Sequence, residues 1–302
     1  MKVKIFADLH NHTTASDGDF PPEKLVKRAK ELGIKALGIS DHDTLDGLPA
    51  AIAAGDNNNI QVIPGVEVSI RFKRPYFTGT LHLLCYFSRE RLADETFVRE
   101  FESVLTRGRG ENLVRDRVKQ INLHFGPEGE SPLLKRDLVF QDIADYSTHA
   151  TRRHFALALA EKLGIKDPEV INGIIGNKSP AYLPSGIGLD QVATLIQELK
   201  LTAVLAHPAA GSFPGKGHYK EVLPPIDVVE KILPEFLDAG IEGIEVYYPG
   251  HTEEHRQVLL SWAEIHGLFV TGGSDCHDAI ERPLGVSGIS ESEFTIFKEA
   301  IS

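Results

Sequence analysis

Phe6-Ala7-Asp8-Leu9-His10-Asn11-His12, with Ser16-Asp17-Gly18 just beyond it, decides how the rest of the chain reads. Two imidazoles at i and i+2 share one face of an extended backbone, because side chains alternate along a strand. A mostly apolar run, residues 3–6, leads straight into them, so they stand where a buried strand ends. Neutral imidazole is a common ligand for transition metals, and Asp17 can swing back from a loop to share the ion. A lone H-x-H is usually two hydrogen-bonded histidines in a turn. Here similar residues recur at later strand ends, and the recurrence favours a metal site.

Working outward, residues 3–8 form the first predicted strand. Pro21-Pro22-Glu23 opens a helix and Gly33 closes it, with Leu25, Val26, Ala29 and Leu32 as its apolar face. A strand over residues 36–40 ends in Asp41-His42-Asp43. A short alanine-rich helix around 48–54 precedes a third strand, 61–63, which delivers Pro64-Gly65-Val66-Glu67. Residues 68–72 and 81–87 read as extended segments joined around Pro75 and Gly79, and His82 lies in the second. This is the rhythm of a parallel sheet wrapped by helices.

From about residue 88 to 182 the rhythm changes to helices alone, over 90–105, 111–123, 135–145 and 151–163. Alternation resumes with helix 189–199, strand 202–206, helix 226–239, strand 243–247, helix 253–266 and strand 268–271. The pattern predicts an α/β barrel from residues 1–87 and 183–302, interrupted by a small helical insertion, 88–182, that roofs the active face. Loose loops are expected at 126–132 and 211–217.

Composition sets the outer limits. With 302 residues, 42% of them apolar and 25% charged, the chain can bury a sizeable core. No apolar stretch approaches the ~18 residues of a membrane span. Met1-Lys2 runs directly into the first strand, and the two cysteines, Cys85 and Cys276, make neither a disulfide framework nor a metal quartet. A cytoplasmic protein without a signal peptide is the expectation. A net charge of −11 argues against a long duplex nucleic-acid face. Acidic metal sites contribute to such a balance.

The strand ends then add up. The first delivers His10 and His12, the second His42, the third Glu67, the 202–206 strand His207, and the last Asp275 and His277. In a β/α barrel these ends open on one face, where such barrels place their chemistry. With Asp17 and His82, nine donors converge, of types that bind Zn, Mn or Fe.

These residues resemble the PHP (polymerase and histidinol phosphatase) superfamily of metal-dependent phosphoesterases. Its motifs stand here as Asp8-Leu-His10-Asn-His12 with Asp17-Gly18, Ser40-Asp41-His42-Asp43-Thr44, Ala206-His207-Pro208 and Gly273-Ser274-Asp275-Cys276-His277, with Glu67 as the bridging glutamate between the second and third. The resemblance implies a distorted (β/α)7 TIM-like barrel, and three divalent ions held by His10, His12, Asp17, His42, Glu67, His82, His207, Asp275 and His277. Thr151-Arg152-Arg153-His154-Phe155-Ala156 and Lys178-Ser179-Pro180-Ala181-Tyr182-Leu183-Pro184 are similar to stretches of the branch that acts on nucleotides and oligoribonucleotides. A serine intervenes between Lys178 and the proline, a departure from that branch.

Several residues carry two readings. Glu67 is read as the carboxylate bridging two ions, and His42 or His207 as metal ligands that could also protonate a leaving alkoxide. Asp41 and Asp43 either orient imidazoles or cap a helix beside Thr44. Arg152, Arg153 and Lys178 are candidate phosphate clamps, since guanidinium forks match phosphate oxygens, or else an ordinary solvated cluster. His154 reads as core, His251 and His255 as an exposed helix face, and Cys276 as packing. Arg107, Arg109, Arg115, Arg117 and Lys119 interleave with acids, usually the mark of a solvated face, though they could guide a nucleotide phosphate. The expected activity is hydrolysis of phosphate esters of a small nucleotide, a nucleoside mono- or bisphosphate, or of a short oligoribonucleotide end. Histidinol-phosphate or sugar-phosphate hydrolysis is the enzymatic alternative. A non-catalytic, metal-stabilised PHP module is the alternative of another class.

Overall fold

The computed structural model describes residues 5–147, 150–214 and 223–301. The start of the predicted first strand and part of the 211–217 loop lie outside them. Within them a seven-stranded sheet runs in the order β1 to β7. Its strands are β1 (Ala7–Asp8), β2 (Ala36–Ile39), β3 (Gln61–Arg74), β4 (Phe77–Tyr86), β5 (Thr202–Leu205), β6 (Gly243–Tyr247) and β7 (Phe269–Gly272). β1 to β3 are parallel, as are β5 to β7. β4 runs antiparallel to both β3 and β5. The ring nearly closes beyond β7, where Leu9 N donates to Gly272 O at 3.1 Å and Asp275 N to His10 O at 2.8 Å. The result is the distorted barrel that the alternation predicts, and the reversed β4 is the distortion.

Two glycines allow β1 to be squeezed this tightly. A Cβ on Gly38 would stand 1.9 Å from Leu9 O, and one on Gly273 would stand 2.3 Å from the His10 Cβ. Any side chain there would push the two-histidine segment out of place.

Helices α1 (Pro22–Glu31), α2 (Leu48–Asn58), α8 (Leu189–Leu199), α9 (Ile226–Asp238) and α10 (Glu253–His266) fall where periodicity placed them. The two extended segments predicted over 61–63 and 68–72 are one 14-residue strand. Glu67 therefore sits mid-strand rather than at a strand end. Pro64 is tolerated because its strand loses its parallel neighbour at that point and β4 takes over from Gly65. The C-terminal α11 (Glu291–Ala300) lies beyond the predicted elements; its Phe294 and Phe297 close the barrel bottom against Ala7, Tyr86 and Val204.

Between β4 and α8 stand α3 (Glu95–Gly108), α4 (Glu111–Phe125), α5 (Phe140–Ala144), α6 (Arg152–Glu161) and α7 (Pro168–Ile175). α3 buries Phe97, Phe101 and Leu105 in the barrel's own core. A separate core links Val114, Val118, Ile121, Phe155, Leu159, Ile174 and Ala181. The helix predicted over 135–145 shrinks to five residues. The Asn122 side chain explains this, pairing with Leu138 N at 2.9 Å and Leu138 O at 2.8 Å and holding that residue out of a helix. No helix among the described residues is long and apolar enough to cross a membrane.

Candidate metal centre

Glu67 is the hub of the barrel mouth. Its Oε2 lies 3.1 Å from His12 Nε2, 3.2 Å from His42 Nδ1 and 3.3 Å from His10 Nε2. Its Oε1 lies 2.9 Å from His207 Nε2 and 3.2 Å from His82 Nδ1. Asp275 Oδ1 reaches His12 Nε2 at 3.1 Å, and Asp17 Oδ1 reaches His277 Nε2 at 3.2 Å. All nine sequence-predicted donors therefore meet in one place. His82 arrives from within antiparallel β4, where it pairs with Ser69 and so shares a face with Glu67 two residues away.

Backbone strain turns some of these side chains inward. His207 and Asp275 adopt left-handed backbone, with φ of 31° and 50°, as does Asp43 at 51°. Non-glycine residues take this conformation only where their surroundings hold them in it. Here each follows the end of a strand or a metal-type donor, and the turn redirects the chain at the barrel rim.

The electrostatics are those of a site built for cations. Burial alone would raise the Glu67 carboxyl, but the His42, His82 and His10 imidazoles outweigh it and hold Glu67 well below the usual carboxylate range. Burial holds His42 low and pushes His82 down to about 4, against the pull of Glu67. His10 and His12 shift the other way: against burial, Glu245, Glu67 and Asp275 raise His10 well above its usual value, and Asp275 and Glu67 raise His12 to about 9.

Among the described residues three overlapping donor groups emerge: His10, His12, Glu67 and Asp275; His12, Asp17, His42 and His277; and His42, Glu67 and His82; His207 stands outside them, in contact with Glu67. Their fit to cations can be tested on spacing. Donors bound at ~2.1 Å to one ion stand roughly 3.0–3.4 Å apart along the edges of an octahedron or tetrahedron. Observed separations of 2.9–3.3 Å around Glu67 match those edges. Ring nitrogens also face one another, His10 Nε2 to His12 Nε2 at 3.3 Å and His82 Nδ1 to His207 Nε2 at 3.4 Å. Lone pairs aimed at a shared point suit a cation better than a hydrogen bond. The residues present fit divalent metal.

Above the donors lies an open cavity. Its lining combines barrel residues with Arg109, Arg117, Thr151, Arg152, Arg153 and Tyr182 from the intervening helical region, and Arg282 from the loop after β7. Arg152 donates to Asn177 Oδ1 and its guanidinium lies 5.4 Å from the Tyr182 ring centre. Arg153 pairs instead with Asp19 at 3.0 Å and Asp278 at 3.4 Å, tying α6 to the barrel rim. Lys178 is exposed and does not line the cavity. The intervening Ser179 accounts for this: its Oγ donates to Ile174 O at 2.6 Å and accepts from Ala181 N at 3.1 Å, a buried turn that leaves Lys178 outside.

Other expectations change. Arg109 and Arg117 are not a solvated face. Arg109 is buried against Asp43 and Ser69, and Arg117 donates Nε and Nη2 to Leu183 O. Asp41 neither orients an imidazole nor caps a helix; it accepts from Thr13 N, Thr13 Oγ1 and Ser16 Oγ at 2.6–2.7 Å and so pins the loop between His12 and Asp17. His251 precedes α10 rather than lying on its exposed face, and it is buried. His154 is buried as expected, its Nδ1 accepting from Thr151 N at 2.9 Å. Glu245, Arg282 and Tyr248 escaped the sequence reading. Glu245 sits inside an apolar strand, and only its burial among histidines marks it.

The PHP domain family matches residues 8–150. The 5'-3' exoribonuclease Rnm of Salmonella typhimurium is 28% identical over 301 residues, covering 94% of this chain and 92% of that protein. The 3',5'-nucleoside bisphosphate phosphatase of Chromobacterium violaceum is 27% identical, covering 89% and 86%. The solved structure of an amidohydrolase from Chromobacterium violaceum, with bound sulfate, superposes with a TM-score of 0.74 at 24% identity, covering 98% of this chain and 96% of that one.

Proposed function

This chain carries a PHP domain, and we propose that it is a metal-dependent phosphoesterase hydrolysing phosphate esters of a nucleotide or a short oligoribonucleotide end. One observation carries the reading: three donor groups that share Glu67, His12 and His42 lie beneath a cavity lined by five arginines. Cations below and guanidinium groups above suit a substrate with more than one negative charge. The relatives act, by their names, on RNA and on nucleoside bisphosphates.

Bound at these donors, up to three divalent ions, Zn, Mn or Fe, would polarise phosphoryl oxygens and supply hydroxide near neutral pH. The chain's own residues do the rest. Glu67 would be the donor shared between ions, since both its oxygens face imidazole nitrogens. Arg117, Arg152 and Arg282 line the space where a phosphate would lie, and guanidinium forks orient it. His42 would hold an ion with its donor group, and His207 joins the cluster through Glu67 Oε1. Either would be the nearest group to hold a proton for the leaving oxygen. The helical region from α4 to α7 roofs the donors, which favours a nucleotide or a single-stranded end over a duplex.

The test is a metal analysis of the purified protein alongside a panel of nucleoside bisphosphates, short 5'-phosphorylated RNAs, histidinol phosphate and sugar phosphates. Preference for the first two supports the reading. Preference for the last two moves it to the alternative phosphatases, and metal without turnover on any of them leaves a structural PHP module.

A further inference from the structure

β6 contributes none of the nine donors, yet its end touches the supports of several. Glu245, fully buried on β6, faces His10 Nδ1 with Oε1 at 3.1 Å and Oε2 at 3.3 Å. The same carboxylate accepts from His207 N at 2.8 Å. Tyr248, one residue past the strand, donates its hydroxyl to Asp275 Oδ2 at 2.9 Å. His251 accepts from Ala209 N at 3.2 Å through Nε2 and donates from Nδ1 to Val246 O at 2.9 Å. Glu245 is not part of the cavity lining.

We infer that Glu245 is a positioning residue that couples two metal donors, His10 and His207, through one carboxylate. A carboxylate can only accept, so it fixes the His10 proton on Nδ1 and leaves the Nε2 lone pair facing Glu67, His12 and Asp275. Its bond to His207 N holds that residue in left-handed backbone, which directs the ring back to Glu67. His10 stands on the β1 side of the mouth and His207 on the β5 side. Glu245 thus sets the spacing of donors that come from opposite parts of the barrel. The inference rests on the metal-centre reading above and adds to it a residue that never meets substrate.

The experiment uses Glu245→Gln, close in shape but neutral and with one amide oxygen where two carboxylate oxygens stood. Full-length protein, stripped of metal, is titrated with Mn²⁺, and with Co²⁺ for its visible spectrum. Val246→Ala, a core truncation on the same strand, is the control. Metal affinity in Glu245→Gln should fall about 10- to 100-fold, the usual range for a lost ligand-orienting partner, with an altered Co²⁺ spectrum and a lower kcat at near-normal KM. Val246→Ala should lower Tm and leave Mn²⁺ affinity and the Co²⁺ spectrum as in wild type. Wild-type affinity and spectrum in Glu245→Gln would overturn the inference and leave the metal centre standing. Should the variant not fold, the His10 ring in ¹⁵N-histidine-labelled wild type decides: a proton on Nδ1 supports the inference, and one on Nε2 overturns it. A wild type that takes up neither ion overturns the metal-centre reading as well.

Discussion

Arg109, just past α3, and Asp43, one residue after the metal-type donor His42, form an ion pair buried on both sides. Arg109 also reaches Ser69 Oγ at 2.8 Å, while Asp43 accepts from Ser69 N at 2.8 Å. The pair ties the end of α3 to the loop after β2 and to β3. Arg109→Met should leave the Asp43 carboxylate buried without its partner, a loss of about 3–5 kcal/mol. Urea unfolding would measure it, and the double variant Arg109→Met with Asp43→Asn should recover part of the loss. Equal stability of the single variant and wild type would show that the pair is idle.

Glu67→Gln should keep the fold and lose most activity. An amide is nearly isosteric but a poor bridge between cations, and five imidazole nitrogens now depend on the carboxylate. We expect kcat lower by roughly two orders of magnitude and metal content reduced. Unchanged turnover and metal content would remove Glu67 from the centre.

Arg152 and Arg153 should separate. Arg152→Ala removes a guanidinium that lines the cavity, and KM for a nucleotide should rise about ten- to hundred-fold, or 1.5–3 kcal/mol, with metal content intact. Arg153 lines the cavity too but is paired with two carboxylates, Asp19 and Asp278, so Arg153→Ala should act more weakly on KM and should also loosen the contact of α6 with the barrel rim. Steady-state kinetics with metal analysis would check both, and two variants kinetically like wild type would refute the roof as a phosphate clamp.

His251 supplies a pH signature away from the donors. Burial depresses it to about 3, with the carbonyl of Val246 opposing and the charges of His207 and His255 assisting. Unfolded, it titrates near 6.5, so between pH 6.5 and 3 the unfolded chain binds the extra proton. Stability from this group is present above 6.5 and falls with pH across that window, by at most about 1.4 kcal/mol per unit. Denaturant melts of metal-free protein at pH 7 and pH 5 should show a smaller pH penalty for His251→Gln than for wild type. An equal penalty would mean His251 is not the titrating group.

The donor set was legible because strand ends carry short polar motifs straight after apolar runs, and because alternation puts His10 and His12 on one side of the backbone. Periodicity likewise marked α1, α2 and α8 to α10, whose apolar faces repeat every three or four residues. Local pattern determines such features, and the chain states them in order. What lies far apart in sequence is decided only when the barrel closes. Lys178 and Arg117 exchange expected roles because one buried serine turn and one carbonyl, Leu183 O, set which cation reaches the cavity. β4 reverses direction, so His82 meets the others from mid-strand. Glu245 reads as one acid in an apolar strand until His10, 235 positions away, is brought to 3.1 Å. A buried carboxylate is tolerated only where donors surround it, and those donors come from β1 and β5, which nothing within β6 itself can specify.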